Sequence, residues 1–132
     1  MREILFRGKT DKGEWVQGDL LHPDLYGNGY SIEDFTKEKN NCFDVIPETV
    51  GQYTGLTDKN GNKIFEGDIV KTDKFSEPNK QYVIKYDLQF GAFIGQDKYN
   101  AYFVTFDGDS DQFEIISNIH DNPELLKSEA QL

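Results

Sequence analysis

Val50-Gly51-Gln52-Tyr53-Thr54-Gly55-Leu56-Thr57-Asp58-Lys59-Asn60-Gly61-Asn62-Lys63-Ile64-Phe65-Glu66-Gly67-Asp68-Ile69-Val70 carries two structural signals in one run. Asn60-Gly61 predicts a hairpin with a type I′ turn, because both central residues of that turn need positive φ. Tyr53 to Leu56 and Lys63 to Phe65 are its arms. Gly67 then permits a bulge or sharp bend, and the Asp68 carboxylate can cap the bent backbone. Ile69-Val70 restarts the strand. A shorter version lies upstream in Thr10-Asp11-Lys12-Gly13-Glu14-Trp15-Val16-Gln17-Gly18-Asp19-Leu20-Leu21. Both read as a turn, a glycine, two bulky apolar residues, a polar residue, Gly-Asp and two aliphatics. Two hairpins bent at Gly18-Asp19 and Gly67-Asp68 can lie across each other in a small barrel or roll, which would remove exposed edges.

Outward from this pair the chain continues to read as strands. Residues 3–7 form one that ends at Gly8. Around Tyr30, Ile32 and Phe35 a short strand is expected between turn-rich loops; the rival is a helical turn with Ser31 as cap and Asp34 three residues on. Phe43 to Pro47 alternates like an edge strand that proline terminates. Residues 72–80 are a loop by composition. Beyond it, Tyr82, Ile84 and Tyr86 share one face of a strand. Phe90 to Gly95, Tyr102 to Phe106 and Phe113 to Ile116 follow, the last two as a hairpin across Asp107-Gly108-Asp109-Ser110-Asp111. If the strands alternate, both faces of this region are apolar, which suggests a second subunit as cover. Asn122 as cap, Pro123 at the first position and Glu124 predict a short C-terminal helix reaching about Glu129. The 132 residues fit a single domain over 1–132, with an N-terminal subdomain 1–46 and an aromatic half 47–132 as its internal division.

The chain carries 10 Phe, 7 Tyr and 1 Trp, enough large side chains to build a small β core without metal or disulfide. Its net charge is −10, which opposes binding of a phosphate backbone by the surface as a whole. Cys42 is the single cysteine, so no intrachain disulfide framework exists. No apolar run approaches 18 residues and no signal-like segment is present. The expectation is a soluble cytoplasmic protein without membrane association.

Pro47-Glu48-Thr49-Val50-Gly51-Gln52-Tyr53-Thr54-Gly55-Leu56, Asp58-Lys59-Asn60-Gly61 and Ile64-Phe65-Glu66-Gly67-Asp68-Ile69-Val70 resemble the signature of the YopX family of phage and prophage proteins. Arg2 to Lys9, Trp15 to Leu20 and Asn118 to Leu126 resemble that family's two ends, with Ser117 where the family usually has glycine. The resemblance implies a mainly β fold with SH3-type barrel character, a phage-encoded accessory protein and self-association; with the sequence reading above, the expected location is the cytoplasm of the host cell. The resemblance implies no catalytic residues.

The residues themselves supply few chemical constellations. Asp107, Asp109 and Asp111 imitate positions 1, 3 and 5 of a calcium loop, but Gln112 and Asn118 stand where glycine and glutamate are needed, so a solvated turn is the simpler reading. Gly18-Asp19 and Gly67-Asp68 read as structural corners rather than paired catalytic carboxylates. Nothing in spacing pairs Cys42 with His22 or His120. No P-loop, G-x-S-x-G, C-x-x-C or H-E-x-x-H occurs. Tyr82, Tyr86, Phe90, Phe93, Tyr99, Tyr102, Phe103 and Phe106, with Lys80, Lys85 and Lys98, raise two uses. One is core and interface; the other is a stacking platform for single-stranded nucleic acid. Of these candidates, Tyr82, Tyr86, Tyr102, Lys80 and Lys85 are central. The expectation is a non-enzymatic protein without cofactor. It self-associates and contacts a host or phage protein through an acidic, aromatic-rich β surface. The nucleic-acid module is the alternative.

Overall fold

The computed structural model describes residues 3–23, 29–72, 80–105 and 112–125. Among them the fold is mainly β, with two antiparallel sheets. The chain divides into two compact units, Met1–Tyr53 and Thr54–Leu132, and the division falls inside a strand.

The first unit contains β1 (Phe6–Lys9), β2 (Trp15–Leu21), β3 (Ser31–Glu33), β4 (Cys42–Asp44) and the start of β5 (Gly51–Thr57). They are ordered β4-β3-β2-β1-β5. Residues around Ile32 are thus a strand, not a helical turn. A 3₁₀ turn, Pro47–Thr49, links β4 to β5. It forms where Pro47 ends the edge strand, and the Thr49 hydroxyl donates to Ile46 O at 2.6 Å. Alternation along β2 and β3 turns Val16 and Ile32 inward, where they pack with Val45 beneath Phe6, Leu20, Tyr30, Phe43 and Val50. Gly8 allows β1 to lie against that core, since a Cβ there would stand 2.9 Å from Val45 Cβ.

The second unit continues β5 into β6 (Lys63–Phe65), then forms β7 (Asp68–Thr72), β8 (Gln81–Asp87), β9 (Ala92–Gln96), β10 (Tyr102–Val104) and β11 (Phe113–Asn118). β6 extends the six-stranded sheet beside β5, and the other five strands are ordered β10-β9-β8-β7-β11. Its core is Ile64, Val70, Tyr82, Ile84 and Phe113, backed by Leu56, Phe103 and Ile115. Burying each such side chain contributes about 1.5–3 kcal/mol.

Several expectations are corrected. Neither sheet closes: β4 and β6 are the edges of one, β10 and β11 of the other, so no SH3-type barrel forms. The 57–63 hairpin does not use a type I′ turn. Gly61 has φ of +82°, but Asn60 is not among the positive-φ residues. Asp58 N–H instead donates to Asn62 O at 2.8 Å and Gly61 N–H to Asp58 O at 3.0 Å, a three-residue loop closed by a left-handed glycine. Gly18 is no corner either. β2 runs straight through it, pairing with Phe6 at Gly18 and with Glu33 at Asp19. A Cβ on Gly18 would collide with the Glu33 carbonyl, so this glycine permits close approach of β3, and Asp19 is exposed.

The expected hairpin of residues 102–116 is also replaced. β10 pairs with β9 and β11 with β7, at opposite edges of the sheet. The short Asp97 to Ala101 loop makes β9–β10 the local pairing, which costs little closure entropy. Residues 106–111, with Asp107, Asp109 and Asp111, lie outside the described residues. Ile69, Val83 and Ile94 are buried within the chain itself. The C-terminal helix is not supported. Only Glu124 and Leu125 are helical among the described residues, with Leu125 N–H donating to Asn122 O at 3.2 Å; Asn122 Oδ1 accepts from the Ser117 hydroxyl, and 126–132 lie outside the described residues. Among the described residues no helix is long and apolar enough to cross a membrane.

Candidate functional site

Carboxylates at loop heads shape the second unit's surface. Asp97 repeats the Asp58 arrangement: its N–H donates to Ala101 O at 2.9 Å, and Asn100 N–H returns to Asp97 O at 3.1 Å. Asn100 takes the left-handed position with φ of +68°. Asp97 Oδ1 accepts from Tyr99 N–H at 2.8 Å and Ala101 N–H at 2.9 Å. Asp97 Oδ2 sits 2.8 Å from Lys80 Nζ. Burial pushes the Asp97 carboxyl up, but the Lys80 ammonium and the two N–H donors outweigh it and hold the group below its ordinary value of 3.8. Asp87 organises the β8–β9 loop similarly, accepting from Gln89 N–H at 2.7 Å and Phe90 N–H at 3.1 Å.

These loops and the flanking strands present the large exposed side chains of the unit. Leu88 is 90% exposed, Tyr99 71% and Tyr102 53%, with Tyr86 and Phe90 each nearly half exposed. The Phe90 and Tyr102 rings lie 5.6 Å apart, and Tyr86 stands edge-on to Phe93 at 5.2 Å. Lys85 is exposed, and Lys98 Nζ lies 5.0 Å from the Tyr99 ring centre. The registers divide this group between two faces. Gln96 lies opposite both Val83 and Tyr102, so Tyr102 shares its face with Val83 and Lys85, while Tyr86 shares the other with Ile84.

The structure therefore separates residues that the sequence groups together. Tyr82 is buried in the core, T-stacked on Phe103 at 4.9 Å, and is no surface group. Phe103 in turn lies over Gly95, where a Cβ would come within 2.7 Å of Phe103 Cε1. Lys80 is committed to Asp97. Tyr86, Tyr102 and Lys85 remain at the surface. Leu88 joins them, unmarked in sequence because a single leucine in a polar loop carries no periodic signal. Gly67 has φ of +91°, and the buried Asp68 accepts from Phe65 N–H at 2.8 Å. Among the described residues no group of three His, Cys, Asp or Glu side chains could hold a metal ion.

A family model, YopX protein, matches residues 5–127. The chain belongs to the YopX family. No curated protein matches this YopX-family chain. Among solved structures it is similar to protein EF1440 from Enterococcus faecalis, at 24% identity and a TM-score of 0.54, covering 96% of this chain and 99% of that one. That likeness concerns the fold.

Proposed function

We propose that this YopX-family chain is a phage or prophage accessory protein of the host cytoplasm that works by protein–protein contact, without catalysis or cofactor. The carrying observation is the exposed ring pair Phe90 and Tyr102, 5.6 Å apart at the β8–β10 end of the five-stranded sheet, with Leu88 and Tyr99 exposed on the adjoining loops. Aromatic side chains of this kind are the usual energetic anchors of protein interfaces. The net charge of −10 favours a partner with a basic rim and speeds its encounter. Such a surface also suits self-association.

A stacking platform for single strands fits less well. The rings are split between two faces, Tyr82 is internal and Lys80 is neutralised by Asp97. Platforms of that type combine stacked rings with a basic groove.

The test compares wild-type protein with the Phe90→Ser/Tyr102→Ser variant as immobilised bait in host lysate and in sedimentation. The expected result is a captured protein, or a self-associated species, that the variant loses and that weakens between 0.05 and 0.5 M salt, roughly a threefold change in Debye length. Equal behaviour of the two proteins, or a gel shift of a labelled single-stranded oligonucleotide at low salt, overturns the proposal.

A further inference from the structure

The first unit holds a separate cleft of about 550 Å³ between the β1–β2 loop and the outer edge of β4. Its size lies within the range of ligand-binding clefts. The loop wall is the five-residue turn in which Gly13 N–H donates to Thr10 O at 3.0 Å and Thr10 N–H to Glu14 O at 2.9 Å. The opposite wall is an unfinished sheet edge. Asp34 N–H donates to Asn41 O at 2.7 Å and Val45 N–H to Tyr30 O at 3.1 Å. With Ile32 opposite Phe43 in the same antiparallel register, hydrogen-bonded pairs alternate at 41, 43 and 45. The backbone groups of Cys42 and Asp44 therefore point away from β3, and among the described residues they make no hydrogen bond. Beyond them Ile46 N–H is taken by Lys9 O at 2.8 Å, which closes that end of the edge.

The side chains fix the chemistry of an occupant. Asp11, Glu14 and Asp44 face the cleft against one ammonium, Lys12, and the three carboxylates form no ion pair among the described residues. Phe43, Ile46 and Pro47 supply apolar wall. We propose that this cleft binds an extended peptide segment in which basic and apolar residues alternate, added as a further strand on β4. Three residues give about 10 Å of edge, enough for main-chain bonds to Cys42 and Asp44. The segment's lysine or arginine side chains meet the carboxylates, and its apolar residues lie on Ile46 and Pro47. This site is independent of the β8–β10 surface.

The experiment titrates full-length protein with acetyl-Val-Lys-Val-Lys-Val-amide and, in parallel, with the same peptide carrying Glu for Lys, following backbone amide shifts. Saturable shifts at Cys42 and Asp44 are expected with the lysine peptide, at least tenfold stronger than with the glutamate peptide. Asp11→Lys/Glu14→Lys, on an exposed loop, is expected to weaken binding at least tenfold. Cys42→Pro removes the outward N–H without touching the β3 ladder, and is expected to abolish the shifts at Asp44. Phe90→Ser/Tyr102→Ser is expected to bind the lysine peptide unchanged. Equal shifts with both peptides, no shift at Cys42 and Asp44 at millimolar peptide, or undiminished binding by Asp11→Lys/Glu14→Lys overturns the proposal. So does a dimer in sedimentation that Cys42→Pro dissolves, because the edge would then belong to a second copy.

Discussion

Glycines here do different physical jobs, and substitution separates them. Gly61, with φ of +82°, has nothing within 4 Å of a Cβ position, so its requirement is backbone conformation alone. Gly61→Ala should cost about 1–2 kcal/mol and Gly61→Asn less, because asparagine tolerates the left-handed region better. Asn100 fills the equivalent place in the Asp97 loop, so Asn100→Gly should be neutral or stabilising. Gly18 and Gly95 are required for space. Gly18→Ala drives a methyl into the Glu33 carbonyl, and Gly95→Ala drives one into the Phe103 ring. Each should lose about 1–3 kcal/mol by overpacking, measured by urea unfolding. A Gly18→Ala protein as stable as wild type would contradict the β2–β3 approach described above.

One loop design recurs at the scale of elements. Thr10 to Glu14, Asp58 to Asn62 and Asp97 to Ala101 share the same backbone bonds, with Gly13, Gly61 and Asn100 in the left-handed position. The first two were legible as an echo because both carry glycine. The third was not, since asparagine replaces glycine and a tyrosine sits inside the loop. Asp97 makes its loop pH-sensitive. Its folded pKa is depressed, so its contribution is complete above the unfolded value of 3.8 and disappears as pH falls past the lower folded value. Asp34 behaves likewise: burial raises it, but the Thr36 hydroxyl and N–H, Gln17 N–H and Lys37 outweigh that and hold it low. Stability should be level above about pH 5 and fall below about pH 4. Asp97→Asn should lower stability at pH 7 by about 1–3 kcal/mol, with the gap to wild type narrowing below pH 3.8. A gap that stays constant from pH 7 to pH 3 would remove Asp97 from this role.

Function at the scale of the molecule rests on surfaces that local sequence does not sort. Phe90→Ser/Tyr102→Ser should unfold within about 1 kcal/mol of wild type, because both rings are substantially exposed. The same variant should lose the partner or self-associated species. A large loss of stability would instead make those rings structural.

By itself the sequence determined the mainly β class, most strand positions, the left-handed glycines at 61 and 67, and membership of the YopX family. Period-two alternation, turn chemistry and a long signature are local properties, readable without coordinates. The β1–β2 and β5–β6 hairpins were legible too, but only the tertiary structure decided how the remaining strands pair, that the sheets stay open, and which aromatics reach solvent. Tyr82 and Tyr102 look alike in sequence as strand aromatics. One is buried against Phe103 and Phe113, and the other lies on edge strand β10. The difference is made by neighbours distant in the chain, since β7 separates β8 from β11 in the sheet and β9 lies between β8 and β10. The stretch from Val50 to Val70 is legible for the same reason in reverse: its turn and bend depend on backbone conformations that few residues other than glycine adopt readily.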